Sequence, residues 1–170
     1  MDQDIIFKKL NVSRETLSRL NNYKDLVLSE NKKINLISSK SAEKFMERHI
    51  IDCVQIIDFI DINSKTCTDL GSGAGLPGIA LAILLSERNI DIKMNLYEKS
   101  YRKSNFLKLA SSELKLKAEI FQLDVFKEKN LYSGSILARA FKPLPLILDL
   151  IDKNFQKCSN LIIFMGKNGK

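Results

Sequence analysis

The run Asp69-Leu70-Gly71-Ser72-Gly73-Ala74-Gly75-Leu76-Pro77-Gly78 sets an acid ahead of three glycines at alternate positions, between one apolar segment and another. Glycines here let a ligand approach the backbone closely, and they reach the positive φ values of a sharp turn. The helix expected after them should offer free N–H groups and the positive end of its dipole. Gly73-x-Gly75-x-x-Gly78 also fits a dinucleotide fingerprint, which is weak when it stands alone. Glu98 ends the next apolar segment, where a ribose-binding carboxylate belongs. A carboxylate accepts from both ribose hydroxyls. The chemistry implied is the binding of an adenosine-bearing cofactor. NAD and S-adenosylmethionine (SAM) both carry that ribose, and the acid before alternating glycines leans towards SAM.

Three further positions fall at segment ends. Asp124 follows Gln122-Leu123, so its carboxylate is placed to accept from an adenine amino group, with the N–H of Val125 or Phe126 serving a ring nitrogen. A capping role for Asp124 is the competing reading. Arg139 follows apolar Ile136-Leu137-Ala138, and a guanidinium there can hold a cofactor carboxylate or an RNA phosphate bidentately. Phe141 beside it is either core or a stacking partner for an unpaired base. His49 is the single histidine, either a structural hydrogen-bonding residue or part of the site. No Ser-His-Asp or Cys-His set can be placed. Cys53, Cys67 and Cys158 show neither disulfide nor metal-ligand spacing, and no metal is expected. Arg102, Lys103, Lys108, Lys115 and Lys117 are candidates for a phosphate-binding face, or for no more than a solvated one.

The elements that must position these residues change character along the chain. From Ser13, a plausible N-cap, Leu17, Leu20, Tyr23, Val27 and Leu28 recur with helical period. A second helix from Ser41 carries Phe45, Met46, Ile50, Val54 and Ile57 on one face, with Ile34–Ile37 as the loop between. From residue 66, strands alternate with helices. The strands are expected at Thr66–Leu70, Ile92–Tyr97, Ala118–Leu123, Ser135–Ala140 and Leu161–Met165; the helices at Pro77–Ser86, Lys99–Leu114 and Leu144–Phe155. Such alternation predicts right-handed crossovers and a parallel sheet with helices on both faces. Ligands of such sheets bind at the carboxyl ends of the strands.

Bulk properties narrow the class. A chain of 170 residues, 45% hydrophobic and 28% charged, reads as one globular domain. No apolar run approaches a membrane span, and the acidic start Met1-Asp2-Gln3-Asp4 does not read as a signal peptide, so a cytoplasmic, membrane-free protein is expected. A net charge of +7 favours a polyanionic partner, most simply nucleic acid, though richness in Lys, Asn and Ile also follows from a biased genome.

Several segments in order carry a closer likeness: Lys33-Ile34-Asn35-Leu36, Glu47-Arg48-His49-Ile50-Ile51-Asp52, Gly71 through Ile79 with its Leu-Pro-Gly ending, Glu113-Leu114-Lys115-Leu116, and Ala138-Arg139-Ala140-Phe141. Over roughly residues 15 to 167 the sequence resembles the RsmG family, also called glucose-inhibited division protein B, which methylates N7 of a guanine in bacterial 16S rRNA. The resemblance implies an α/β, Rossmann-like SAM-dependent methyltransferase fold. It comprises a mostly parallel sheet with helices on both faces and an N-terminal helical extension over 1–64 ahead of a SAM-binding core over 65–170. It implies 16S rRNA or the small ribosomal subunit as partner. It places Gly71 and Leu76 at the cofactor from the glycine loop, where the loop pattern itself adds Gly73, Glu98 at the ribose where an aspartate is usual, Val125 and Phe126 against the adenine, and Arg139 near the transferred methyl. The sequence departs from the family in Lys99-Ser100-Tyr101-Arg102-Lys103, in lacking a glutamate near Val125-Phe126, and in Met165 before Gly166. Relatives run on for several tens of residues with strands that complete the sheet, so the strand near residue 163 is expected to form an edge. A SAM-dependent enzyme with another substrate, an NAD-dependent oxidoreductase and a non-catalytic RNA-binding relative stand as alternatives.

Overall fold

The computed structural model describes residues 12–165. Ser13 caps the first helix, α1 (Arg14–Asn31), accepting from the Thr16 N–H at 3.1 Å. Thr16, Leu20, Tyr23 and Val27 recur on its buried stripe. The Asn31 side chain then accepts from the N–H groups of Leu36 and Ile37, which fixes the loop that follows.

The expected long helix from Ser41 is instead broken. A short α2 (Ser39–Ala42) is followed by a π-helical turn over Met46–Ile50, by α3 (Ile51–Val54), and by a 3-10 turn over Ile57–Phe59. Phe45, Ile50 and Ile57 are still buried, as their spacing predicts. The π turn holds His49 and Ile50, both of them buried.

The sheet comprises β1 (Thr66–Leu70), β2 (Lys93–Tyr97), β3 (Ala118–Phe121), β4 (Leu131–Arg139) and β5 (Phe155–Phe164). All pairings are parallel, in the order β3-β2-β1-β4-β5. The chain therefore starts in the middle, steps outwards through β2 and β3, and returns to the far side of β1 for β4 and β5. The crossovers diverge between β1 and β4, which opens a crevice at the strands' carboxyl ends.

Helices α4 (Gly78–Glu87) and α5 (Tyr101–Glu113) share one apolar cluster with α1, while α6 (Leu144–Asn154) joins a second cluster. Alternate strand residues serve the two faces, so Cys67 and Met94 belong to the first cluster and Leu70 and Tyr97 to the second. Helix α4 is buried from Gly78 to Leu85, sandwiched between the sheet and α1. Tyr23, Val27, Phe45, Ile50 and Cys53 sit in the same cluster as Leu96 and Leu107, so the N-terminal segment and the sheet share one core.

Strands β4 and β5 start earlier than expected, at Leu131 rather than Ser135 and at Phe155 rather than Leu161. Their first residues mix polar and apolar types and carry no periodic signal. They are held by backbone pairing from Leu131↔Phe155 to Arg139↔Phe164. Among the described residues β5 is an edge strand, paired with β4 alone.

Candidate functional site

The glycine loop turns the chain from β1 into α4. Gly71, Gly73 and Gly75 have φ of 70°, 56° and 87°, which L-residues adopt only with strain. A Cβ on Gly71 would lie 2.4 Å from the Phe141 ring, so glycine is also required by packing. The N–H groups of Gly71 and Ser72 both donate to the Tyr97 carbonyl, at 2.9 and 3.0 Å. Gly78 N–H donates to the buried carboxylate of Asp69 at 3.0 Å, and Ile79 N–H to the Gly75 carbonyl at 2.7 Å. The expectation of free N–H groups at this helix start is therefore corrected. Its first donors are taken, one of them by an acid, and a dinucleotide pyrophosphate would meet a carboxylate where it needs donors. Burial pushes the Asp69 carboxyl up to about 7, although the Gly78 N–H, the Ser72 side chain and Arg139 work against the shift.

A cleft of about 390 Å³ opens beside this loop. Gly71, Gly73, Glu98, Asp124, Val125 and Phe126 line it, together with Lys99, Lys103, Phe141 and Lys142. Glu98 accepts from Gly73 N–H at 3.0 Å and from Ser100 N–H at 2.8 Å. Its oxygens retain further lone pairs for two hydroxyls, and the carboxylate is fixed in place by the loop it serves. Asp124 caps the 3-10 turn over Val125–Lys127, accepting from Phe126 N–H at 3.2 Å. Of the two candidate donors to an adenine nitrogen, the Phe126 N–H is thus committed, and Val125 is left as the better placed. The Phe126 and Phe141 rings stack with centroids 5.9 Å apart.

A second cleft of about 360 Å³ shares Gly71, Gly73, Lys103 and Ala140 with the first. Leu76 and Arg139 line it, facing Ser38, Ser41 and His49 from the N-terminal segment. The Arg139 Nη2 donates to His49 Nδ1 at 2.9 Å and to the Arg48 carbonyl at 3.0 Å. Its guanidinium also lies over the Phe164 ring, 5.6 Å from the centroid. Ala140, the next residue, takes φ of 49°, so the chain bends sharply between Arg139 and Phe141. The eight expected residues therefore divide between two connected clefts.

The proposed basic face does not form as a unit. Helix α5 runs back along the sheet, so Lys103 reaches the clefts while Lys117 lies at the opposite end and pairs with Asp91. Sequence reasoning missed Tyr23, whose buried hydroxyl donates to the Ala74 carbonyl of the glycine loop at 2.7 Å. Nothing in its local spacing separates it from an ordinary core tyrosine. Among the described residues no acidic, histidine or cysteine cluster suited to a metal is present, and no helix is long and apolar enough to cross a membrane.

Comparison with known proteins bears on what the clefts hold. The family model GidB, described as rRNA small subunit methyltransferase G, matches residues 16–169. The Ribosomal RNA small subunit methyltransferase G of Pelagibacter ubique (strain HTCC1062) is 50% identical over 167 residues, 97% of this chain and 78% of its own length. That of Rickettsia akari (strain Hartford) is 36% identical over 160 residues, 94% of this chain and 80% of its own. Among solved structures, a SAM-dependent O-methyltransferase from Thermotoga maritima aligns with a TM-score of 0.51 at 17% identity, over 85% of this chain and 51% of its own, a likeness of fold alone.

Proposed function

The chain belongs to the rRNA small subunit methyltransferase G family, and from that premise we propose that it transfers a methyl group from SAM to N7 of a guanine in 16S rRNA, presented free or within the small ribosomal subunit. Family membership selects SAM over NAD, which the glycine pattern left open. The observation that carries the reading is the pair of connected clefts at the carboxyl ends of β1, β2 and β4. Glu98 and Phe126 line one, Arg139 lines the other, and Gly71 and Gly73 lie where they meet.

The residues present suit the cofactor. In this reading Glu98 takes the ribose hydroxyls, Val125 N–H and the Phe126 ring take the adenine, and Gly71, Gly73 and Leu76 allow close backbone approach. Asp124 shapes the adenine side by capping its turn. Arg139 has a buried Nη1 with no hydrogen-bond partner among the described residues, a donor suited to a carboxylate. When bound, SAM supplies a methyl group on a positively charged sulfur, open to attack by a lone pair.

Guanine N7 offers such a lone pair in the ring plane and has no proton to lose, so the chain needs no general base. This agrees with a site whose one histidine is neutral and engaged with an arginine. The protein's work is orientation: holding two reactants in line and keeping water from between them. The described part of the N-terminal extension contributes by closing the second cleft with Ser38, Ser41 and His49. A 16S rRNA substrate places this work in the bacterial cytoplasm.

The test is to incubate the protein with methyl-labelled SAM and small subunits that lack guanine-N7 methylation, then digest the RNA and identify the labelled nucleoside. Label in 7-methylguanosine is the expected result. Label in another nucleoside overturns the N7 assignment, and absence of label overturns the enzymatic reading.

A further inference from the structure

The Arg139 guanidinium can only donate hydrogen bonds. Its 2.9 Å contact with His49 Nδ1 therefore assigns the lone pair to Nδ1 and the ring proton to Nε2. The same Nη2 also donates to the Arg48 carbonyl at 3.0 Å, and the Asp52 carboxylate stands farther off at 3.8 Å. Among the described residues, the polar partners of Nη2 thus come from the turn Met46–Ile50 and the start of α3, and the Cys53 thiol of α3 also lies against the guanidinium. The guanidinium also lies over the Phe164 ring, which supplies a flat support. Nη1 is buried without a partner among the described residues.

His49 is itself braced. Its ring meets the Phe45 ring edge-on at 5.3 Å, and Phe45 meets Tyr23 edge-on at 5.8 Å. Tyr23 then bonds the Ala74 carbonyl. This line of contacts runs from the glycine loop through the N-terminal segment to Arg139, and so sets the spacing of the two walls of the second cleft.

We propose that His49 is a positioning residue: its neutral imidazole accepts from one edge of the Arg139 guanidinium, holding the other edge for the amino-acid carboxylate of the cofactor. The proposal rests on the SAM-binding reading above. A protonated imidazole would remove the acceptor and set two cations against each other. Burial, then Arg139 and Arg48, lower the His49 pKa to about 4, which keeps the ring neutral.

The test compares the wild-type protein with His49→Phe, which keeps a ring in the Phe45 contact but has no acceptor, and with His49→Asn, whose side-chain oxygen restores one near Nδ1. Two probes are titrated calorimetrically: S-adenosylhomocysteine, and 5′-methylthioadenosine, which lacks the amino-acid part. Thermal melting checks that each variant is folded. His49→Phe is expected to weaken S-adenosylhomocysteine about tenfold and leave 5′-methylthioadenosine within about twofold, with His49→Asn recovering most of the loss. Equal weakening of both probes by His49→Phe would mean a structural role only and overturn the proposal. So would an unchanged affinity for S-adenosylhomocysteine, or a failure of His49→Asn to recover. A wild type that binds neither probe would instead overturn the cofactor reading itself.

Discussion

The two walls of the cleft are built by different means. The loop wall is local. Asp69 reaches Gly78 across nine residues, and Gly73 reaches Glu98 across twenty-five, largely through backbone N–H groups. The Arg139 wall is remote. Its contacts with His49 and Arg48 span 90 and 91 residues, and they join side chains from β4 to a turn in the N-terminal segment. The first wall follows from a strand–turn–helix unit and its glycines. The second exists only once the N-terminal segment has packed on the sheet. Their electrostatics run in opposite senses as well. Burial raises the carboxyl pKa at the first wall and lowers the imidazole pKa at the second, so each favours its neutral form.

Breaking the loop wall should have the largest effect. Gly71→Ala combines a residue at φ of 70° with a contact 2.4 Å from the Phe141 ring. The expected loss is about 2–4 kcal/mol of stability by denaturant titration, together with cofactor affinity reduced more than about a hundredfold as Phe141 is displaced. Retained affinity would show that Phe141 yields without disturbing the cleft. Next, Arg139→Met removes the centre of the remote wall. S-adenosylhomocysteine should bind about thirtyfold more weakly, the size of a lost charge-assisted bond, while the loop wall is kept and about 1–2 kcal/mol of stability goes with the bonds to His49 and Arg48. An affinity equal to wild type would detach Arg139 from the cofactor.

Tyr23→Phe tests the link between the walls. Losing the 2.7 Å bond to Ala74 leaves a buried carbonyl unpaired. About 1–2 kcal/mol of stability and about threefold in cofactor affinity should go with it. A loss in stability with no change in affinity would confine Tyr23 to the core.

The smallest net change in the wild type is with pH, because two shifts of similar size oppose each other. Asp69 has a folded pKa of about 7 against an ordinary 3.8, so the folded state holds the extra proton and stability falls as pH rises between those values. His49 has a folded pKa of about 4 against 6.5, so the folded state lacks a proton that the unfolded state binds, and stability rises across that window. The two trends oppose each other over most of their range. Asp69→Asn should expose the rise and His49→Asn the fall, read as denaturation midpoints at the two ends of the window. A pH profile for Asp69→Asn identical to that of wild type would remove Asp69 from the account.

Much was legible in the sequence because it is local. Ser13 as a cap, the stripe through Leu20, Tyr23 and Val27, the alternation of apolar strands and helices, and Glu98 at the end of β2 are each set within a few residues by propensity and period. The family segments extended this to cofactor and substrate class. Other features depend on what lies across the fold. The helix expected from Ser41 breaks at a π turn that holds the buried His49 and Ile50, an irregularity that no helical period encodes. The early starts of β4 and β5 come from pairing with each other. Phe126 N–H was spent on Asp124, and the first donors of α4 on Asp69 and Gly75, by hydrogen bonds that only close geometry reveals. The sequence by itself determined the loop, the strand order's alternating units and the kind of ligand they suit, since short-range sterics and hydrophobic period decide those. Only the tertiary structure decided that Arg139 is held by His49, and that Tyr23 ties the N-terminal segment to the glycine loop. Those contacts join residues far apart in the chain, and packing around one shared core brings them within hydrogen-bond reach.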